Sequence, residues 1–536
     1  MLIAVAAVVA AGIGVVLVLP GGRSFHTGYL PTGSSASQDA QQTARVFLRA
    51  WDAGDLRQAA NYTDHPAAAR AALKVFRTDL RLRKLTGTAG PATPISPGSA
   101  HPREKVIYAA SASVASASGA AAVSGTWRYH ASLVAYQSKQ SQYWYVAWAP
   151  ADLAPNLTTS THLAAVSVAP HVTSVTDASG SDLTSYGDAG LDHVAAGLEQ
   201  GAPPGQGSPG LDVEIQSGTG KPVPSTQAVV VAPKNISGLA TTINAAAEQA
   251  ARSAVGQHGN SAMVVIQPST GKILAIANNA GFNDFALTAA VAPGSTMKTI
   301  TSTALFTEGV LNPGSDVACP KAFTIQGITY HNNQGESEPA STPFITDFAQ
   351  SCNNAFSTQW EHLTNGRLAD TAKEYYGLDQ QWDIGIGSIS ASYFNAPASA
   401  SGSELAQEAF GEGSLTASPL AMASIAATID SGRFRQPYLA AGGPLVTAKP
   451  LPVTTDTWLK QMMRAVVTSG TAAPVGFGPD VYAKTGTADI NGQGQPNSWI
   501  IAFVPSRDVA VACLVVDAGY GASFAGPEVK AFLDSY

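Results

Sequence analysis

Two apolar runs near residue 270 and three more beyond residue 480 constrain the fold of this chain more than any other feature. Residues 262–267 and 273–277 flank the turn Pro268-Ser269-Thr270-Gly271-Lys272, a pattern that makes a hairpin. Residues 481–487, 499–504 and 509–516 are strand-like and joined by loops, and residues 527–533 read as a closing helix. The long middle is helical in pattern. Two strands ahead of it and three behind imply an antiparallel sheet carrying helices on its faces, within residues 236–536.

At 536 residues the chain exceeds one ordinary core, so the fold class is multidomain α/β (α+β). Residues 1–21 are almost wholly apolar and uncharged, about the length of a membrane-crossing helix. They read as an uncleaved anchor with the rest of the chain outside the cytoplasm; a cleaved signal peptide is the alternative. Arg23 follows the segment and no Lys or Arg precedes it, so charge does not orient it. Residues 22–38, rich in Gly, Ser and Thr, form a spacer.

Over residues 39–150, Ala44, Phe47, Leu48 and Trp51 recur at helical spacing, and residues 67–80 give another helix. Residues 123–130 and 144–148 then alternate as strands, so this is a small α+β domain. Trp127, Tyr129, Trp144, Tyr145 and Trp148 are placed as core; lining a ligand cleft is their alternative use. Residues 151–235 contain two Gly-, Pro- and Ser-rich stretches around the weak strand at Asp212 to Ile215, and read as a linker or a short domain. Residues 236–255 read as one Ala-rich helix.

Charged residues make up only 12% of the chain, the net charge is -7, and no Lys/Arg cluster occurs. Nucleic acid is therefore not an expected partner. The cysteines Cys319, Cys352 and Cys513 are too few for a disulfide framework or a zinc site. Cys319 and Cys352 can pair in an oxidising compartment, but their spacing does not set the geometry. Cys513 lies in a strand-like run as a small core residue.

Three polar strings carry the chemistry: Ser295-Thr296-Met297-Lys298, Ser351-Cys352-Asn353 and Lys484-Thr485-Gly486-Thr487. A serine alcohol needs a base within hydrogen-bond reach, and residues three apart on a helix share a face, so Lys298 can approach Ser295. Pro293-Gly294 suggests that Ser295 opens a helix, with an apolar helix following over 300–310. Lysine serves as a base only where burial or neighbouring cations lower its pKa. Ser269-Thr270-Gly271-Lys272 matches the same spacing but lies in the hairpin turn, where no helix holds the pair together. On a strand Lys484 and Gly486 face one way and Thr485 the other. Gly486 would let a substrate backbone lie close.

With these strings in this order, the sequence resembles the penicillin-binding protein and serine β-lactamase superfamily, and more closely class B penicillin-binding proteins. Residues 268–275, Ser351-Cys352-Asn353-Asn354-Ala355-Phe356, and Gly411-Glu412-Gly413 with Thr416, Pro419 and Met422 add to the likeness, which spans 240–536. Residues 39–150 more loosely resemble the nuclear-transport-factor-like domain preceding some such transpeptidases. Residues 151–235 take the place of the usual pedestal domain, with His171 where an arginine is expected, and Glu412 stands where Gln is common.

The resemblance implies a peptidoglycan D,D-transpeptidase anchored in the cell membrane. Ser295 attacks the penultimate D-Ala of a stem peptide and Lys298 takes its proton. Ser351 relays a proton to the leaving amine, and Asn353 binds Lys298 and the substrate amide. Lys484 and Thr485 hold the substrate carboxylate, Gly486 and Thr487 complete the substrate strand, and the N–H groups of Ser295 and Thr487 form the oxyanion hole. A second stem peptide takes the acyl group. β-Lactams acylate Ser295, other cell-wall synthesis proteins are possible partners, and no metal or organic cofactor is needed. The alternatives are a β-lactamase or D,D-carboxypeptidase, and a non-catalytic penicillin- or peptidoglycan-binding sensor.

Overall fold

The computed structural model describes residues 28–32, 35–95, 97–116, 122–200, 206–280, 285–385, 394–440, 445–489 and 494–536. The expected anchor lies outside the described residues, among which no helix is long and apolar enough to cross a membrane. The chain divides into two compact units. One comprises the chain up to Pro170 with Gly207–Asn235, the other His171–Gln206 with Ile236–Tyr536.

In the first unit, helices Ala36–Asp52, Leu56–Asn61 and Pro66–Asp79 precede a four-stranded antiparallel sheet. Ser35 caps the first helix through a reciprocal exchange with Gln38, satisfying two otherwise orphaned N–H groups. Strands Lys84–Pro94, Arg103–Ala115, Ser124–Gln137 and Trp144–Val146 follow one another as a meander. Of the five aromatics placed as core, Trp127, Trp144 and Tyr145 are buried, whereas Tyr129 and Trp148 are half-buried and Trp148 lines a cavity with Phe76. Phe47, Trp51, Phe76 and Trp144 are buried, with Trp51 edge-on to Phe76 at 5.1 Å between ring centroids. Burying one such phenylalanine stabilises by roughly 1.5–3 kcal/mol.

The 151–235 stretch is not one body. Its strand Thr161–Val168 pairs antiparallel with Gly210–Ser217 in the first unit. Between them, Val175–Thr176 pairs parallel with Leu239–Ala240 in the second. The same pairing corrects the helix expected from residue 236. Leu239–Ala240 is extended, Asn244 caps the helix by accepting from Ala247 N–H, and the helix spans only Ala245–Val255. Alanine content alone did not reveal that the preceding backbone would be claimed by a strand partner.

The second unit is built on a five-stranded antiparallel sheet. Its order is Ile273–Asn279, Ser261–Ile266, Val509–Val515, Asn497–Val504, Tyr482–Ala488. Front and back runs therefore meet at the sheet centre, where Val264 stands opposite Ala512. Asn497–Val504 and Val509–Val515 are buried at every position, which means that both faces of the sheet are covered. Helix Pro419–Ser431 packs against the central strands, and Ala525–Ser535 packs against Ala245–Val255 and the sheet. Tyr482–Ala488, which carries Lys484, Thr485, Gly486 and Thr487, is an edge strand.

Candidate active site

Ser295 lies in the single 3-10 turn Gly294–Met297, which runs directly into helix Lys298–Thr307. That helix is buried along almost its whole length, so Lys298 is carried into the core and is 0% exposed. Its Nζ lies 2.9 Å from Ser295 Oγ, 2.6 Å from the Ser351 carbonyl oxygen and 2.7 Å from Asn353 Oδ1. The second string folds around a helix end. Helix Phe344–Gln350 stops at Ser351, whose φ of 65° is left-handed, and Asn353 begins the next helix. A non-glycine residue held there stores roughly 1–3 kcal/mol of strain and turns the Ser351 carbonyl onto the lysine.

Lys484 approaches from the edge strand. Its Nζ donates to Ser351 Oγ at 2.8 Å and to the Thr485 carbonyl at 3.0 Å, and it is also fully buried. Ser351 Oγ thus sits between the two lysines, 3.4 Å from Lys298 Nζ. Each ammonium faces an aromatic ring, Lys298 over Phe356 at 5.3 Å and Lys484 over Phe348 at 5.4 Å. Those contacts stabilise cations only in part. Burial, then the neighbouring Lys484 charge, pushes Lys298 well below the ordinary lysine range. Burial pushes Lys484 down to about 7, with Glu336 opposing the shift.

A neutral lysine amine has two N–H donors and one lone pair. The Ser351 carbonyl and Asn353 Oδ1 can only accept, so they occupy both donors. The lone pair is left for the Ser295 hydroxyl. In this state the geometry makes Lys298 a base for Ser295.

Glycines set the approach of the three segments. Gly294 N–H donates to the Gly411 carbonyl at 2.9 Å, and an ideal Cβ on Gly411 would lie 1.7 Å from the Gly294 oxygen. A Cβ on Gly294 would meet Thr487 N at 3.0 Å, so the serine turn rests on the strand backbone. Gly486 has a different role from the one its strand position suggested. Its Cβ would strike the Pro293 oxygen, Thr296 Cγ2 and Trp499 Cβ, each at 2.9 Å. It admits the serine turn, and the cavity-facing positions of this strand are Thr485 and Thr487.

Those two threonines line a cavity of about 360 Å³ together with Ser351, Thr471, Glu336 and Tyr520. Thr471 Oγ1 is hydrogen-bonded to Thr485 Oγ1. Ser295 is 3% exposed and lies two hydrogen bonds from the cavity, through Lys298 and Ser351. All eight residues singled out from the sequence therefore converge. Thr471, Glu336 and Gly411 as a packing contact were not legible, because nothing local marks one threonine or carboxylate among many.

The loop next to Ser351 is stapled. Cys319 and Cys352 form a disulfide, leaving Cys513 buried and free. The turn Ser269-Thr270-Gly271-Lys272 is the hairpin turn between Ser261–Ile266 and Ile273–Asn279 and not a helix start. Ser269 instead bonds to Asp508 through both its N–H and its hydroxyl.

Comparison with known proteins matches residues 261–534 to the penicillin-binding protein transpeptidase domain family. The chain belongs to that family. The peptidoglycan D,D-transpeptidase PbpA of Mycobacterium tuberculosis is 27% identical over 366 residues, covering 55% of this chain and 71% of PbpA. PbpA of Mycolicibacterium smegmatis is 26% identical over 350 residues, covering 54% and 70%. In fold, this member of the family is similar to Pseudomonas aeruginosa PBP2, with TM-score 0.54 and 19% identity over 68% of this chain and 96% of that one. It is also similar to an imipenem acyl-enzyme complex of M. tuberculosis penicillin-binding protein A, with TM-score 0.50 and 24% identity over 56% and 80%.

Proposed function

We propose that this chain is a class B penicillin-binding protein that cross-links peptidoglycan as a serine D,D-transpeptidase, and that β-lactams inhibit it by acylating Ser295. The observation that carries the reading is the lone pair of buried Lys298 directed at Ser295 Oγ by two acceptor-only partners. Ser295 Oγ attacks the carbonyl of the penultimate D-Ala as Lys298 takes the hydroxyl proton. The developing oxyanion is held by the N–H groups of Ser295 and Thr487, whose segments meet at Gly294. The proton passes through Ser351 Oγ, which both lysines reach, to the departing D-Ala amine. Thr485 and Thr487 receive the substrate carboxylate from the cavity side, and its negative charge draws Lys484 back toward the ammonium form. Asn353 holds Lys298 and the substrate amide.

The enzyme is anchored by residues 1–21 with both units outside the cytoplasm. That reading is supported by the uncharged apolar stretch and by the disulfide, which persists in oxidising compartments. Residues 39–150 form a nuclear-transport-factor-like domain, a reading supported by three helices followed by a meandering sheet. Other cell-wall synthesis proteins are its expected partners.

Intact mass spectrometry of the full chain in detergent after benzylpenicillin, beside Ser295→Ala, tests the assignment. A long-lived adduct on the parent protein alone is expected. An adduct on both proteins, or on neither when folded, overturns it.

A further inference from the structure

One carboxylate at this site is assigned no proton transfer in acylation, although its charge opposes the downward shift of Lys298 and Lys484. Glu336 lines the cavity beside Ser351, Thr485 and Thr487, and its Oε2 is buried with no hydrogen-bond partner among the described residues. The loop that carries it is held firmly. Asn332 Nδ2 donates to the Glu336 carbonyl at 2.7 Å, while Asn332 Oδ1 accepts from Asn354 N–H at 2.8 Å, one residue beyond Asn353. Two residues on, Glu338 and Cys319 exchange backbone hydrogen bonds, and Cys319 is bridged to Cys352. Glu336 is thereby fixed to the same local frame as Ser351 and Asn353. A half-buried carboxylate on the wall of an open cavity, with its second oxygen buried and unpaired among the described residues, is a receptor for a cationic donor that reaches it.

We propose that Glu336 serves the acceptor half of the reaction: its carboxylate receives the ammonium group of the incoming amine and takes the proton that amide formation must release. The proposal rests on the transpeptidase reading. Atom balance shows why such a group is needed. The acceptor arrives as an ammonium with three protons. When its nitrogen bonds to the acyl carbon and the carbon–Oγ bond breaks, one proton stays on the amide nitrogen and one returns to Ser295 Oγ. The third must go elsewhere. Lys298 and Ser351 already return the proton to Ser295, whereas Glu336 is an additional acceptor on the cavity side. Burial raises its pKa above the ordinary carboxylate range, against the pull of Lys298 and Lys484, making it a stronger base than an exposed glutamate.

The test uses full-length protein in detergent, an N-acyl-D-alanyl thioester as donor and glycinamide as acceptor. Products are counted by mass as transferred amide or hydrolysed acid. Penicillin acylation is followed on the same samples across pH. Glu336→Gln is expected to lower the ratio of transfer to hydrolysis by about tenfold to a hundredfold, with acylation slowed less than threefold. An unchanged ratio overturns the proposal. So does a selective loss of hydrolysis, which would make Glu336 a base for water. A mere countercharge role gives a third pattern. Losing Glu336 would lower the lysine pKa values and move the acylation profile to lower pH with the ratio intact. Parent protein that penicillin does not acylate would instead overturn the transpeptidase reading itself.

Discussion

Replacing Gly411 with alanine tests whether backbone contact alone holds the serine turn in register with its base. An ideal Cβ would sit 1.7 Å from the Gly294 oxygen and 2.4 Å from its carbonyl carbon, whereas ordinary contact begins at 3.4 Å. One backbone must therefore move by 3.4 − 1.7 Å, or about 1.7 Å, along that line. The φ of 100° at Gly411 adds about 1–3 kcal/mol of strain for a residue with a side chain. A displacement of about 1 Å in a reacting group costs on the order of 100-fold in rate. Gly411→Ala is thus expected to slow penicillin acylation at least about 100-fold, read by stopped-flow or quenched mass spectrometry. It should also lower Tm by several degrees, at about 2–4 °C per kcal/mol. Gly309→Ala separates strain from collision. Gly309 has φ 69° and, among the described residues, nothing within 4 Å of its Cβ position, so Gly309→Ala loses about 1 kcal/mol of stability while acylating within about threefold of the parent. Acylation at the parent rate by Gly411→Ala would refute the argument that this contact positions Ser295.

Lys484→Met is expected to abolish productive acylation yet raise Tm, most clearly near pH 6. The folded pKa of about 7 lies below the unfolded value of 10.5, so below pH 7 the folded state carries the full cost of a buried charge. Between those values the unfolded chain binds more protons and parent stability rises with pH, so the advantage of methionine should shrink by pH 9; an equal or lower Tm at pH 6 would contradict this. For the disulfide, the sequence separation of 33 predicts a chain-entropy contribution of about 3–4 kcal/mol. Cys319→Ser with Cys352→Ser should lose that stability in urea unfolding, and no loss under non-reducing conditions would argue against the bridge.

Local periodicity alone settles part of the site. Three residues of helical spacing bring Lys298 under Ser295, and strand alternation separates Lys484 from Thr485 and Thr487. Both relations hold wherever the element is placed. The hairpin turn marked by Pro268 and Gly271 was legible for the same reason, and so was the dismissal of its Ser-x-x-Lys match. Cys319 and Cys352 were visible as a possible pair, but whether their chains would meet was a property of the fold.

Contacts between segments distant in the chain come from the fold. Gly486 looks like a substrate-facing gap until Pro293 and Thr296 are seen packed on it, and Gly411 acquires its meaning from Gly294. The helix expected from residue 236 begins at Ala245 because Leu239–Ala240 found a strand partner more than 60 residues earlier, at Val175–Thr176. Glu336 is chemically ordinary in sequence; the disulfide-stapled loop and the absence, among the described residues, of a partner for its buried oxygen single it out. Local dihedral and side-chain preferences are written residue by residue, whereas desolvation and steric exclusion depend on which remote atoms the folded chain brings within a few ångströms.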